Sequence, residues 1–169
     1  GSIKYNKNKT GFETVFKNAT YWSNAEHCEL ATQPNAREKA SFLIGVHREK
    51  KLQIVEPSEE LKEAYLQKAS ASLKSAEILL QNSLLENAVP MAYYSMYNMV
   101  MALLFKTGIK CENHAGSIIL LKELFIIDNS KIEFAKKERV DKQYYVDFKI
   151  TEKEIDNLIL IAKEFNSEL

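Results

Sequence analysis

From Leu61 onward, apolar residues return every three or four positions, the period of a helix with one buried face. Leu61, Tyr65, Ala69, Leu73, Ala76 and Leu80 make the first such stripe, which predicts a helix running to about residue 82. Ser58 stands ahead of it as a cap, and Glu59 and Glu60 suit the positive end of its dipole. The next segment, LLENAVPMAYYSMYNMVMALLFKTG, is apolar nearly all round. That predicts a central helix of a bundle, or one that faces a second subunit. Pro90 falls early in it, where a first turn tolerates proline or the helix kinks. Gly108 is a natural left-handed stop. A third helix is expected from Asn113 to Phe125, with Ile118, Ile119, Leu121 and Leu124 apolar. A fourth is expected from Asn129 to Tyr145. The last opens on Thr151 and Glu154, the two ends of a capping box, and buries Ile155, Leu158, Ile159, Ala162 and Phe165.

The pattern before residue 57 is weaker. Phe12, Val15, Phe16, Ala19 and Trp22 fit a short amphipathic helix. Pro34 fits the first turn of another, which places Ala36, Ala40, Leu43, Ile44 and His47 on one face. LQIVEP reads as an extended connector, because Glu56 precedes Pro57 and is held off helical angles. The expected fold is therefore all-α. An antiparallel helical bundle occupies residues 57–169, and a helical extension precedes it over residues 3–56.

Composition agrees with long helices and narrows the chemistry. Gly (5) and Pro (3) are scarce among the 169 residues, a length that builds a core without disulfides or metals. Lys plus Arg and Asp plus Glu are 23 each, so no global positive field draws in nucleic acid, although a local patch remains open. Cys28 and Cys111 have no metal-binding spacing and read as free thiols in a reducing cytoplasm. No phosphate-cradling glycine loop and no zinc spacing is present, so no cofactor and no metal is expected. No run of about 18 apolar residues suggests a membrane span. Gly1-Ser2 reads as a cloning remnant, and no secretory leader is expected.

The stretch YLQKASASLKSAEILLQNSLLENAVPMAYYSMYNMVMALLFKTGIKCENHAGSIILLKELF, together with the later RVDKQYY, resembles the HEPN family (higher eukaryote and prokaryote nucleotide-binding). The AYYSMYN segment, the GIKCENH turn and RVDKQYY carry the resemblance, which covers Pro57 to Leu169. It implies a bundle of about four or five helices, often a homodimer. It also implies ribonuclease activity in defence or toxin–antitoxin systems, and for several members a minimal nucleotidyltransferase as partner. Active members carry an arginine, a spacer of about four to six residues, and then a histidine suited to proton transfer near neutrality. The chain departs from that pattern: Arg139 is in place, but Tyr144 and Tyr145 stand where the histidine belongs. The histidines are His27, His47 and His114.

Arg139 retains the capacity to hold a phosphate. Tyrosine is a poor base at neutral pH and an aspartate an ordinary acid, so Tyr144 and Asp141 are catalytic candidates only if strongly perturbed. The plainer reading of Arg139 and Asp141 is an exposed ion pair. His114, at the start of the third helix, either covers a first turn capped by Asn113 or supplies the missing imidazole. The resemblance places it in the turn before that helix, outside the usual catalytic pair. Tyr93, Tyr94, Tyr97 and Asn98 are either core residues with hydroxyls to satisfy, or a face on which a base or nucleotide stacks. Arg139, Tyr145, Tyr94, Asn98 and Lys142 are the candidate phosphate- or nucleotide-binding residues.

Two functions remain open on these grounds. One is an RNA-directed protein, either a weak or degenerate metal-independent ribonuclease or an RNA or nucleotide binder, placed in a toxin–antitoxin or defence system. The other is a non-enzymatic helical partner of a minimal nucleotidyltransferase, acting through homodimer and hetero-partner contacts.

Overall fold

A computed structural model of the chain describes residues 36–144 and 149–169. The expected helix around Phe12 to Trp22 lies outside them, as does Tyr145. In chain order the elements are α1 (Ala36–Arg48), β1 (Leu52–Ile54), α2 (Glu59–Gln81), α3 (Leu85–Lys106), β2 (Ile109–Cys111), α4 (His114–Phe125), α5 (Ser130–Tyr144) and α6 (Glu152–Glu168).

Local signals start the helices where the sequence places them. The Ser58 side chain accepts from the Leu61 N–H, Asn113 from the Gly116 N–H, and Thr151 with Glu154 closes a reciprocal capping box. Each satisfies donors that the first turn cannot pair internally.

Helix α3 is the centre. It packs most extensively against α2, and also against α5, α6, β2 and α4. By length and composition alone it is long and apolar enough to cross a membrane, but about two thirds of its apolar stretch is buried in the bundle, as befits a core helix. Ala88, Val89, Ala92, Tyr93, Met96, Val100 and Leu104 are fully buried, and the α6 stripe Ile155, Leu158, Ile159, Ala162 and Phe165 closes the core as its period predicts. The α2–α3 seam uses small side chains. Ser95 Oγ donates to the Ala69 carbonyl at 2.8 Å and accepts from Asn166 Nδ2 of α6 at 2.8 Å, which pins three helices at one buried hydroxyl.

The extended connector is more than a connector. Leu52, Gln53 and Ile54 pair antiparallel with Cys111, Lys110 and Ile109. The ladder continues through Val55 N–H to the Gly108 carbonyl (2.9 Å) and Glu112 N–H to the Lys51 carbonyl (2.7 Å). Thus the described part of the N-terminal extension is joined to the bundle by backbone hydrogen bonds. Leu43 and Val46 of α1 are buried, while His47, expected on the apolar face, is exposed and bonds the Leu52 carbonyl through Nδ1 (2.9 Å).

Two residues test the backbone on opposite sides of one rule. Gly108 has φ +78°, and a Cβ there would lie 2.7 Å from the Val55 carbonyl oxygen. Ile126, which ends α4, is a β-branched residue at φ 58° and is 77% exposed. Left-handed geometry costs an L-residue about 1–2 kcal/mol. Gly108→Ala is therefore expected to lose at least about 1–2 kcal/mol, and Ile126→Asn to gain about 0.5–1 kcal/mol, since asparagine tolerates this region better. Chemical denaturation midpoints at constant slope check both.

Candidate functional site

Helix α5 buries Ile132 and Ala135. Arg139 follows at the same helical spacing, so it continues that inward stripe toward α3. Asp141, two residues on, points to a different face. The Arg139–Asp141 ion pair considered above is therefore not formed. Among the described residues Arg139 makes no ion pair, and Asp141 is half-buried away from it.

Arg139 instead enters an aromatic corner. Its Nη1 donates to the Tyr94 hydroxyl at 2.9 Å. Its guanidinium carbon lies 4.9 Å from the Tyr93 ring centroid and 5.5 Å from that of Tyr94, within cation–π range of both. Its Nε is buried and has no hydrogen-bond partner among the described residues.

Tyr93 passes the contact on. The Tyr93 hydroxyl and His114 Nδ1 are 2.8 Å apart. The His114 ring stacks on Tyr97 with centroids 3.8 Å apart and planes 6° from parallel. The Tyr97 hydroxyl is anchored in turn to Ser117 Oγ (3.5 Å), which also bonds the Asn113 carbonyl (3.1 Å). Tyr93 and Tyr97 stack one helical turn apart. Side chains from α3, α4 and α5 are thereby connected through Tyr93.

The electrostatics follow from this geometry. Burial pushes the Tyr93 phenol well above its usual range, against the opposing pull of the Arg139 guanidinium. Burial also raises Tyr97, partly offset by its bond to Ser117. His114 is lowered, first by burial and then by the positive charges of Arg139 and Lys136. Its place at the first position of α4 acts in the same direction, because a helix N-terminus disfavours a cation. At neutral pH both tyrosines are protonated and His114 is uncharged.

Of the sequence-predicted residues, the structure brings together Arg139, Tyr94 and His114. Asn98 lies one turn beyond Tyr94 on the same face of α3 and is half-buried, with no side-chain hydrogen bond among the described residues. Lys142 has its side chain almost wholly covered (4% exposed), lies 3.8 Å from Glu138 and acts on Glu154 of α6. Tyr144 ends α5. The sequence offers Tyr93 either as core or as a stacking face shared with Tyr97 four residues on; the structure makes it fully buried core whose hydroxyl and ring join His114 and Arg139. No group of three or more His, Cys, Asp or Glu side chains that could hold a metal is found among the described residues.

The arrangement presents donors. Arg139, with N–H groups left over from Tyr94, and His114, with one ring nitrogen left over from Tyr93, both lie against Tyr93, and Arg139 and Lys136 are near enough to act on the imidazole.

The comparisons agree with the helical fold. The HEPN domain family model matches residues 62–168. The chain is also 30% identical over 110 residues to the Methanocaldococcus jannaschii protein named "Putative toxin MJ0605", a stretch covering 61% of this chain and 81% of that protein. The chain belongs to the HEPN family.

The lowered His114 has a consequence for stability. Between its folded value and the ordinary value near 6.5, the unfolded chain binds a proton that the folded chain refuses, so stability rises with pH across that window. Acidification from pH 7 to 5 is expected to lower the denaturation midpoint, and His114→Gln to flatten that dependence. Parallel denaturation series at several pH values check it; equal slopes in parent and variant would refute it.

Proposed function

We propose that the chain is an RNA-directed HEPN protein of the toxin type, which holds a phosphodiester at Arg139. One observation carries this reading. A half-buried guanidinium, fixed by Tyr94 and lying against two ring faces, has no carboxylate among the described residues. A group of hydrogen-bond donors around an uncompensated cation suits a ligand made of acceptors with a negative charge. A phosphodiester oxygen pair fits the Arg139 donors left over from Tyr94. The name of the Methanocaldococcus jannaschii relative supports the toxin context.

Turnover on this reading is slow. The family's histidine after the arginine is absent, and loss of acid–base catalysis costs about 10²–10⁴ in rate. Binding is then the dominant activity, with weak metal-independent cleavage at most.

The test uses end-labelled single-stranded RNA without added metal. The parent chain is expected to bind in a salt-sensitive manner. Arg139→Ala is expected to weaken binding about tenfold to a hundredfold, the loss typical of a hydrogen bond to a charged group, and to abolish any cleavage. Equal binding by the two proteins would remove the reading. In a bacterial host, expression of the full chain is expected to slow growth and Arg139→Ala to relieve it, read from growth curves at matched protein levels.

A further inference from the structure

The Arg139 site contains a second side chain that reaches the same corner from another helix. We propose that His114 is a binding residue rather than a proton carrier: Tyr93 holds it as the neutral tautomer protonated at Nε2, and that N–H donates to an acceptor of the RNA beside the phosphate on Arg139. This rests on the proposed RNA-binding function and names a second recognition element within it.

The argument is one of hydrogen-bond supply. Tyr93 is fully buried, and its hydroxyl meets one partner among the described residues, His114 Nδ1 at 2.8 Å. If Nδ1 carried the proton and donated, the phenolic hydrogen would be buried with no acceptor, a loss of about 1–3 kcal/mol. If the phenol donates, the lone pair of Nδ1 is used and the phenol is satisfied. The neutral ring then carries its proton on Nε2. An imidazolium would turn Nδ1–H onto the hydroxyl and leave the phenolic hydrogen without an acceptor, so the tyrosine opposes protonation as well as fixing the tautomer.

The remaining neighbours keep the ring in that state. Tyr97 of α3 stacks on it and directs its own hydroxyl to Ser117. Arg139 and Lys136 of α5 disfavour a cation, and Asn113 ahead of α4 spends its side chain on the Gly116 N–H. Glu133 of α5 acts on Tyr93 as the weakest of the influences there and does not reach His114 as a partner. A ring whose Nδ1 is taken and whose Nε2 is protonated has no lone pair with which to deprotonate a ribose hydroxyl. It has one well-placed donor. With the guanidinium and the Tyr94 O–H it completes a set that recognises acceptor oxygens and transfers no proton.

Nuclear magnetic resonance of the full chain, with ¹⁵N-labelled histidine and no RNA, reads the tautomer directly. The His114 signals are assigned by their loss in His114→Gln. The expected pattern at pH 7 is a protonated Nε2 and an unprotonated, hydrogen-bonded Nδ1, with a titration midpoint below that of ordinary histidine. Tyr93→Phe, which keeps the ring under Arg139, is expected to mix the tautomers and raise the midpoint. A proton on Nδ1, or an imidazolium at pH 7, would overturn the inference whatever the RNA result.

The second arm is RNA binding. His114→Ala is expected to weaken binding about tenfold, while His114→Gln, whose amide N–H stands in for Nε2–H, stays within about threefold of the parent. If glutamine binds as poorly as alanine, the donor role is wrong. If both variants bind like the parent but lose cleavage, His114 moves protons and the inference fails. A parent chain that does not bind RNA at all removes the proposed function, and this inference with it. Intact RNA binding beside an Nδ1-protonated ring removes this inference alone.

Discussion

The hydroxyl and ring of Tyr93 are the point on which the site depends. The ring lies under the Arg139 guanidinium from α5, and the hydroxyl meets His114 from α4, while the backbone belongs to the central helix. A fully buried phenol is stable only if its polar tip is paired. His114 provides that pairing, so core integrity and site geometry are one requirement. The same side chain sets the register between three helices, which no pair of them would settle alone.

This coupling explains why the site lies on α3 rather than on a loop. Helix α3 is held on one side by the small-residue seam with α2 and by the Ser95 hydroxyl, bonded to both Ala69 and Asn166. On the other side β2 follows it directly and is paired to β1, with Gly108 allowing the turn between helix and strand. Side chains that project from a restrained helix are positioned more precisely than side chains on a loop. His114 gains from the same arrangement, because Asn113 caps α4 immediately after β2. The position of the imidazole therefore depends on a two-strand ladder contributed in part by the segment ahead of the bundle.

Most of the fold was legible in the sequence, since helix caps and apolar stripes are local signals. Thr151 with Glu154, and the α6 stripe to Phe165, are read within a single element. The β1–β2 pair was not legible, because three residues on each side are too few to show alternation and their pairing spans more than fifty positions of chain. The site was half legible. Arg139 could be found by family pattern, and its burial by its spacing from Ile132 and Ala135. Its partners could not, since Tyr94 and Arg139 are 45 residues apart and Tyr93 and His114 are 21 apart. The supposed ion pair with Asp141 failed for a geometric reason that local spacing does contain: residues two apart on a helix do not share a face.

The energetics of Arg139 bear on the proposed phosphate-binding role. Its bond to Tyr94 contributes about 1.5–3 kcal/mol and its ring contacts about 0.5–2 kcal/mol. Against these stand partial desolvation of a full charge and an Nε buried without a partner among the described residues, the latter alone costing about 1–3 kcal/mol. The opposing contributions are of similar size, so Arg139 in this position adds little to folding. A leucine would continue the Ile132–Ala135 stripe at no such cost, as buried ion groups are often replaced by apolar ones without loss. A guanidinium in the stripe with no carboxylate partner among the described residues is therefore unexplained by stability. The proposed phosphodiester would account for it, since its charge offsets the desolvation and its oxygens accept from the donors left over. The same reasoning separates Arg139 from Lys142, which also sits in a covered position but lies beside Glu138 and needs no external partner.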